Sequence, residues 1–114
     1  MIEESICRFV TKHYSNYQGA FLCGKCAEIT CYLLSMAGRP SEKMTCVING
    51  IGHILVKSGD CFIDPAIKQF GDYPEFSINC YPIEGVDFKP AALLLTDGKA
   101  NNLNAKGGFY GLPL

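Results

Sequence analysis

Charge is scarce in this chain. Asp, Glu, Lys and Arg make up 18% of its residues, below the ~25% of average proteins. With 48% hydrophobic residues, that composition excludes intrinsic disorder, which needs few apolar residues and many charges. Neither sign is in surplus: ten Lys and Arg face eleven Asp and Glu, for a net charge of −1. No strongly basic face is expected, which argues against a nucleic-acid binder that works by neutralising phosphates. No apolar run approaches the ~18 residues that a membrane span requires. Met1-Ile2-Glu3-Glu4 carries acids where a signal peptide carries bases, so no export signal is expected. Internal repeats, low-complexity runs, charge blocks and linkers are all absent from the sequence. At 114 residues, residues 1–114 are expected to form one domain.

Cysteine, by contrast, is abundant. Seven occur, at 7, 23, 26, 31, 46, 61 and 80, still under the ~8–10% share that marks a disulfide scaffold. An odd count leaves at least one free thiol in a monomer. Cys31, Cys46 and Cys61 lie in apolar runs, where cysteine serves as a small buried hydrophobe. A reducing, cytosol-like compartment is the expectation.

Ile2, Ile6, Phe9, Val10 and His13 recur at helical spacing, predicting a helix over 2–14 with His13 partly buried on its apolar face. A second helix is expected over Cys26–Ala37, with Glu28 in its first turn and a Gly38-x-Pro40 stop behind it. Gly24-Lys25 is read as the tight turn that leads into it. The second half reads as strands: 44–48, punctuation at Asn49-Gly50, a hairpin of 53–57 and 61–64, then weaker candidates at 76–81 and 91–96. The tail over 97–114 is expected to be irregular. Helices first and strands after predict an α+β class with an antiparallel sheet.

Three residues carry chemistry in this layout. Cys26 is placed at a helix N-terminus, where the dipole and unpaired N–H groups favour thiolate and could hold an oxyanion. His53 opens one hairpin strand and Asp64 closes the next. A loop of Ser58-Gly59, or of 57–60, sets them directly opposite on one face. A carboxylate there would orient the imidazole and stabilise its charged form. A three-residue loop would part them.

Gly24-Lys25-Cys26-Ala27-Glu28, Gly52-His53-Ile54-Leu55-Val56 and Cys61-Phe62-Ile63-Asp64-Pro65, in that order, resemble the papain/transglutaminase-like superfamily. The stretch over 53–70 looks most like the papain-fold toxin domains of bacterial polymorphic and contact-dependent growth inhibition toxins. The resemblance covers about residues 19–70. It implies a papain-like fold, with the nucleophile helix packed on the sheet. It also implies amide acyl transfer through a thioester, with Cys26 as nucleophile, His53 as proton shuttle and Asp64 as its orienter. Gln18 is the weak oxyanion candidate. Peptidase, glutamine deamidase and transglutaminase all remain open. The resemblance further implies a protein substrate, a cognate immunity protein, delivery by a larger toxin and action in the cytosol of a target bacterium. Ile54 stands where transglutaminases carry an aromatic, and the chain has no Trp.

Two other classes stay in play. Cys23-x2-Cys26, with Cys31 and with Cys46 or His53, could bind zinc or act as a redox pair. A small domain with little charge could also bind a protein without catalysis. No cofactor is expected for the acyl-transfer reading.

Overall fold

A computed structural model describes residues 1–17 and 19–91. The candidate strand after Ala91, the tail over 97–114 and Gln18 lie outside the described residues. Helix α1 spans Ile2–Tyr14 and buries Ile6, Cys7 and Val10, the i, i+1, i+4 pattern of one helical face. His13 is exposed, not partly buried, and its ring stacks at 4.7 Å on that of Phe9, itself exposed. A two-stranded hairpin, β1 (Asn16–Tyr17) with β2 (Ala20–Phe21), leads to helix α2.

Helix α2 spans Cys23–Met36 and so begins three residues earlier than expected. The carbonyl of Leu22 accepts the Cys26 N–H at 2.8 Å, closing the first turn. Gly24-Lys25, read as a turn, therefore forms the first turn of the helix. Glycine's helical cost, about 1 kcal/mol, is offset by the packing of Cys26, Ala27, Ile29 and Leu34. Glu28 consequently sits beyond the first turn, and its carboxylate pairs with Lys43 of the sheet. The helix ends as the Gly38 signal demands. The N–H groups of Gly38 and Arg39 bond the carbonyls of Ser35 and Leu34 at 3.0 and 2.8 Å, the doubled bonds of a Schellman motif.

Five strands form one antiparallel sheet in the order β6-β5-β4-β3-β7: β3 is Glu42–Ile48, β4 Ile51–Ser58, β5 Cys61–Ile63, β6 Phe76–Ile78 and β7 Lys89–Pro90. Asn49 and Gly50 join β3 to β4 with φ of 52° and 78°. Both are left-handed, as a type I′ hairpin turn requires. The next loop is Gly59-Asp60, with φ of 58° at Gly59, the type II′ arrangement. Val56 thus pairs with Ile63 and Ser58 with Cys61. The expected loops are both wrong: β5 is slid two residues along β4, and His53 is not directly opposite Asp64. A slip of two preserves the face on which each side chain stands, because the strand period is two.

The sheet is buried on both faces. The two helices pack with Val56 and Ile63 into one cluster. Met44, Cys46, Ile48 and Leu55 form a second, covered by Phe62, Phe70, Tyr81, Ile83, Val86 and Phe88. The architecture is α+β, with two helices packed on an antiparallel sheet. Among the described residues, no helix is long and apolar enough to cross a membrane.

Candidate active site

His53 is the direct β3–β4 partner of Cys46 and is 3% exposed. Asp64 follows the last residue of β5 and is 2% exposed. Its backbone N–H bonds the carbonyl of Glu75 at 2.8 Å, and its own carbonyl accepts the Ile67 N–H at 3.2 Å. These two bonds hold Asp64 between β6 and a 3₁₀ turn, Ile67–Phe70. The carboxylate reaches His53 at Nε2, at 2.9 Å from Oδ1 and 2.8 Å from Oδ2. An acceptor-only carboxylate fixes a proton on Nε2 and leaves Nδ1 as the working nitrogen.

Three further side chains close around the pair, and sequence reasoning missed all three in this role. The Tyr81 hydroxyl donates to Asp64 Oδ2. Phe70 meets the imidazole edge-on, with centroids 4.9 Å apart. The Gln69 amide nitrogen lies 3.5 Å from His53 Nδ1 and 3.2 Å from the Ala66 carbonyl. The 3₁₀ turn that carries Phe70 and Gln69 was not expected. Tyr81 is brought in across 17 residues and has no local signal.

The structure separates the two cysteines of the Cys-x-x-Cys pair. Cys26 is not at the helix start. It stands one turn inside α2, 1% exposed, in the helix–sheet core with Ile6, Cys7, Val10 and Ala27. Burial, then the nearby Cys23 and Asp64, push its thiol up to about 12, against a small opposing pull from Lys25. Cys23 takes the first helical position instead and is half-buried. There the N–H groups have no intrahelical acceptor, and the dipole favours an anion. Cys23 also lies close enough to His53 to raise the pKa of its ring.

His53 itself titrates upward. Burial, the largest influence, pulls its pKa down. Hydrogen bonds and charge from Asp64 and Cys23 outweigh that and raise it from 6.5 to about 9. Cys46, beside it, is pushed up to about 11 by burial and by the charges of Asp64 and Cys23. Burial and Asp64 also raise Tyr81, which keeps its hydroxyl proton for the hydrogen bond. The arrangement therefore offers one thiol at a helix start, one imidazole that is protonated at neutral pH, and one carboxylate that orients it.

The remaining cysteines are all free: Cys7, Cys46 and Cys61 are buried, Cys31 is half-buried against the core, and Cys80 is exposed. Among the described residues, no group of three or more His, Cys, Asp or Glu side chains is placed to hold a metal ion. No family model, no curated protein and no solved structure matches this chain.

Proposed function

We propose that this protein is a cysteine-dependent amide acyl-transfer enzyme in which Cys23, rather than Cys26, is the nucleophile. The observation that carries the reading is the buried His53–Asp64 pair, at 2.8–2.9 Å, with a helix-starting cysteine close enough to raise the pKa of the same ring. Cys23 gives its proton to His53 Nδ1, and the thiolate–imidazolium pair is the resting nucleophile. The sulfur attacks the amide carbonyl carbon, a C–S bond forms, and the carbonyl π pair moves to oxygen. Collapse breaks the C–N bond, and the leaving nitrogen takes the Nδ1 proton. Water or an amine then attacks the thioester carbon, His53 receives its proton, and the C–S bond breaks to return the Cys23 sulfur. Asp64 holds Nε2 throughout, while Tyr81 holds Asp64.

The α+β layout, with the helix start against the His–Asp pair, supports the papain/transglutaminase-like reading. From that resemblance follow a bacterial contact-dependent inhibition effector, a protein substrate in the target cytosol and a cognate immunity protein. The test is alkylation by iodoacetamide with mass-spectrometric mapping. Cys23 is expected to react at least ten-fold faster than the other six thiols, and Cys23→Ala to abolish activity on a target proteome. New chain termini in that proteome would mean proteolysis, and a gain of about one dalton on Gln would mean deamidation. Uniform reactivity of all seven thiols would sink the proposal.

One observation favours a redox reading. Cys23 and Cys26 occupy the first turn of α2 with one half-buried and one buried, and Cys23 acts on Cys26 electrostatically. A dithiol oxidoreductase uses such a pair, with the buried thiol resolving a mixed disulfide. Cys26→Ala separates the two: acyl transfer survives it, and dithiol exchange does not.

A further inference from the structure

The five-stranded sheet has two outer edges, and only one is blunted. β7 is Lys89–Pro90, and a lysine and a proline are both common devices against edge pairing. β6 is Phe76-Ser77-Ile78 and has neither. Its inner side is fixed by β5. The Asp64 N–H bonds the Glu75 carbonyl and the Asn79 N–H bonds that of Asp60, each at 2.8 Å, and Phe62 pairs with Ser77 between them. Ladder bonds alternate along an antiparallel strand, so 75, 77 and 79 face β5. The N–H and C=O groups of Phe76 and Ile78 therefore point outward, and among the described residues no strand pairs with them. A cleft of about 470 Å³ lies beside this edge, walled by Phe76 and by Glu4, Cys7, Arg8, Thr11 and Lys12 of α1. α1 runs opposite to β6: Met1 Sδ lies 3.9 Å from Sγ of Cys61, the partner of Ile78, whereas the Cys7 thiol meets the Glu75 carbonyl at 3.3 Å. Lys12 thus stands past Phe76, at the Pro74 end of the cleft. Arg8 pairs with Glu4 at 3.6 Å and Glu75 with Lys68 at 3.7 Å. Lys12 is exposed and makes no ion pair among the described residues, so the rim keeps one uncompensated cation.

We propose that this edge and cleft dock an extended peptide segment of a partner protein, added antiparallel to β6, with an apolar side chain in the cleft and an acidic residue two positions later on Lys12. Outward-facing N–H and C=O groups need a ladder, which selects an extended chain over a helix. The residue opposite Phe76 stands on the same face as Phe76, which packs against the helix-side core, and so enters the cleft. Antiparallel addition runs the peptide from Ile78 toward Pro74. Side chains two positions apart share a face, so the second residue past the apolar one falls beside Lys12. The residue opposite Ile78, itself 46% exposed, covers an apolar side chain. The pattern that fits is apolar-x-apolar-x-acid. The docking surface lies apart from the His53–Asp64 pair, and it holds whether or not the chain transfers acyl groups.

The test titrates the full chain into a fluorescein-labelled peptide, Thr-Leu-Thr-Leu-Thr-Glu-Thr, at low salt and reads fluorescence anisotropy. Saturable one-to-one binding is expected, weakened about five-fold by Lys12→Glu. The second leucine, opposite Phe76, exchanges its N–H and C=O with the edge, whereas the threonine before it points its own away. N-methylation of that leucine is expected to weaken binding about ten-fold. N-methylation of the threonine is expected to leave it unchanged. Both changes are made in the peptide, so a misfolded variant cannot mimic them. Absence of saturable binding, equal effects of the two N-methylations, or indifference to Lys12→Glu would each overturn the proposal. So would a chain that sediments as a dimer and is dissociated by the peptide, because a second copy would then hold the edge.

Discussion

In His53, burial and ion pairing pull a single ring in opposite directions, and pairing wins. A native pKa of about 9 against the ordinary 6.5 means that the folded chain holds this proton more tightly than the unfolded one. The stability that results is complete below pH 6.5 and drains away as pH rises to about 9. The unfolding free energy measured in urea is therefore expected to fall across that window by an amount on the order of 1–3 kcal/mol. In His53→Gln the same titration should be nearly flat up to about pH 8, above which the buried thiols, raised in the fold, lower the stability of both proteins alike. A wild-type curve as flat as the variant's would mean that the pair contributes nothing. The same scale shows where the sequence was ambiguous. Cys23 and Cys26 share one Cys-x-x-Cys motif, and choosing between them depends on where α2 begins. Gly24-Lys25 suggested a turn, and moving the helix start back three residues puts Cys23 rather than Cys26 at the helix N-terminus. Composition and spacing hold no term for that shift, because it is set by tertiary packing of Cys26, Ala27 and Leu34. His53 and Asp64, whose pairing depends only on strand parity, were readable. Tyr81 and Gln69 were not, since their contacts come from loops that no periodicity describes.

Among the secondary-structure elements, the hairpins position the pair through their turns. The β4–β5 loop was read with the wrong residues, yet the pair met, because a slip of two residues leaves each side chain on its own face. A slip of one would not have been forgiven. Two glycines, Gly52 within β4 and Gly59 in the turn that follows it, make the turn requirement testable. Gly59 has φ of 58° with nothing within 4 Å of an added Cβ, and Gly52 has equally open space without a left-handed backbone. Steric clash is thus absent at both, and only the backbone term distinguishes them. Gly59→Ala is expected to lower stability by about 1–2 kcal/mol, the cost of a left-handed L-residue. Gly52→Ala should be neutral or stabilise by up to about 1 kcal/mol, by narrowing the unfolded ensemble. Urea midpoints of the two variants check this directly. Equal effects would show that the Gly59 turn is not under the constraint its φ implies.

Across the whole molecule, the sheet divides two cores that ought to answer to different readouts. The helix-side core holds Leu34 fully buried among Ile6, Val10, Val56 and Ile63. The opposite side is closed by an aromatic cluster in which Phe88 meets Tyr81 at 5.1 Å and Phe62 at 5.8 Å. Tyr81 in turn bonds Asp64, so that cluster touches the His53 pair and Leu34 does not. Leu34→Ala should cost about 2–5 kcal/mol through the cavity it leaves, yet leave the His53 titration in the surviving folded protein near 9. Phe88 is only half-buried, so Phe88→Ala should cost less. It should nonetheless loosen Tyr81, admit water to Asp64 and move His53 back toward 6.5, because solvent weakens the ion pair that raised it. Denaturant unfolding combined with NMR titration of the His53 ring measures both quantities in each variant. A His53 titration unmoved by Phe88→Ala would mean that the aromatic layer covers the pair without shaping its electrostatics.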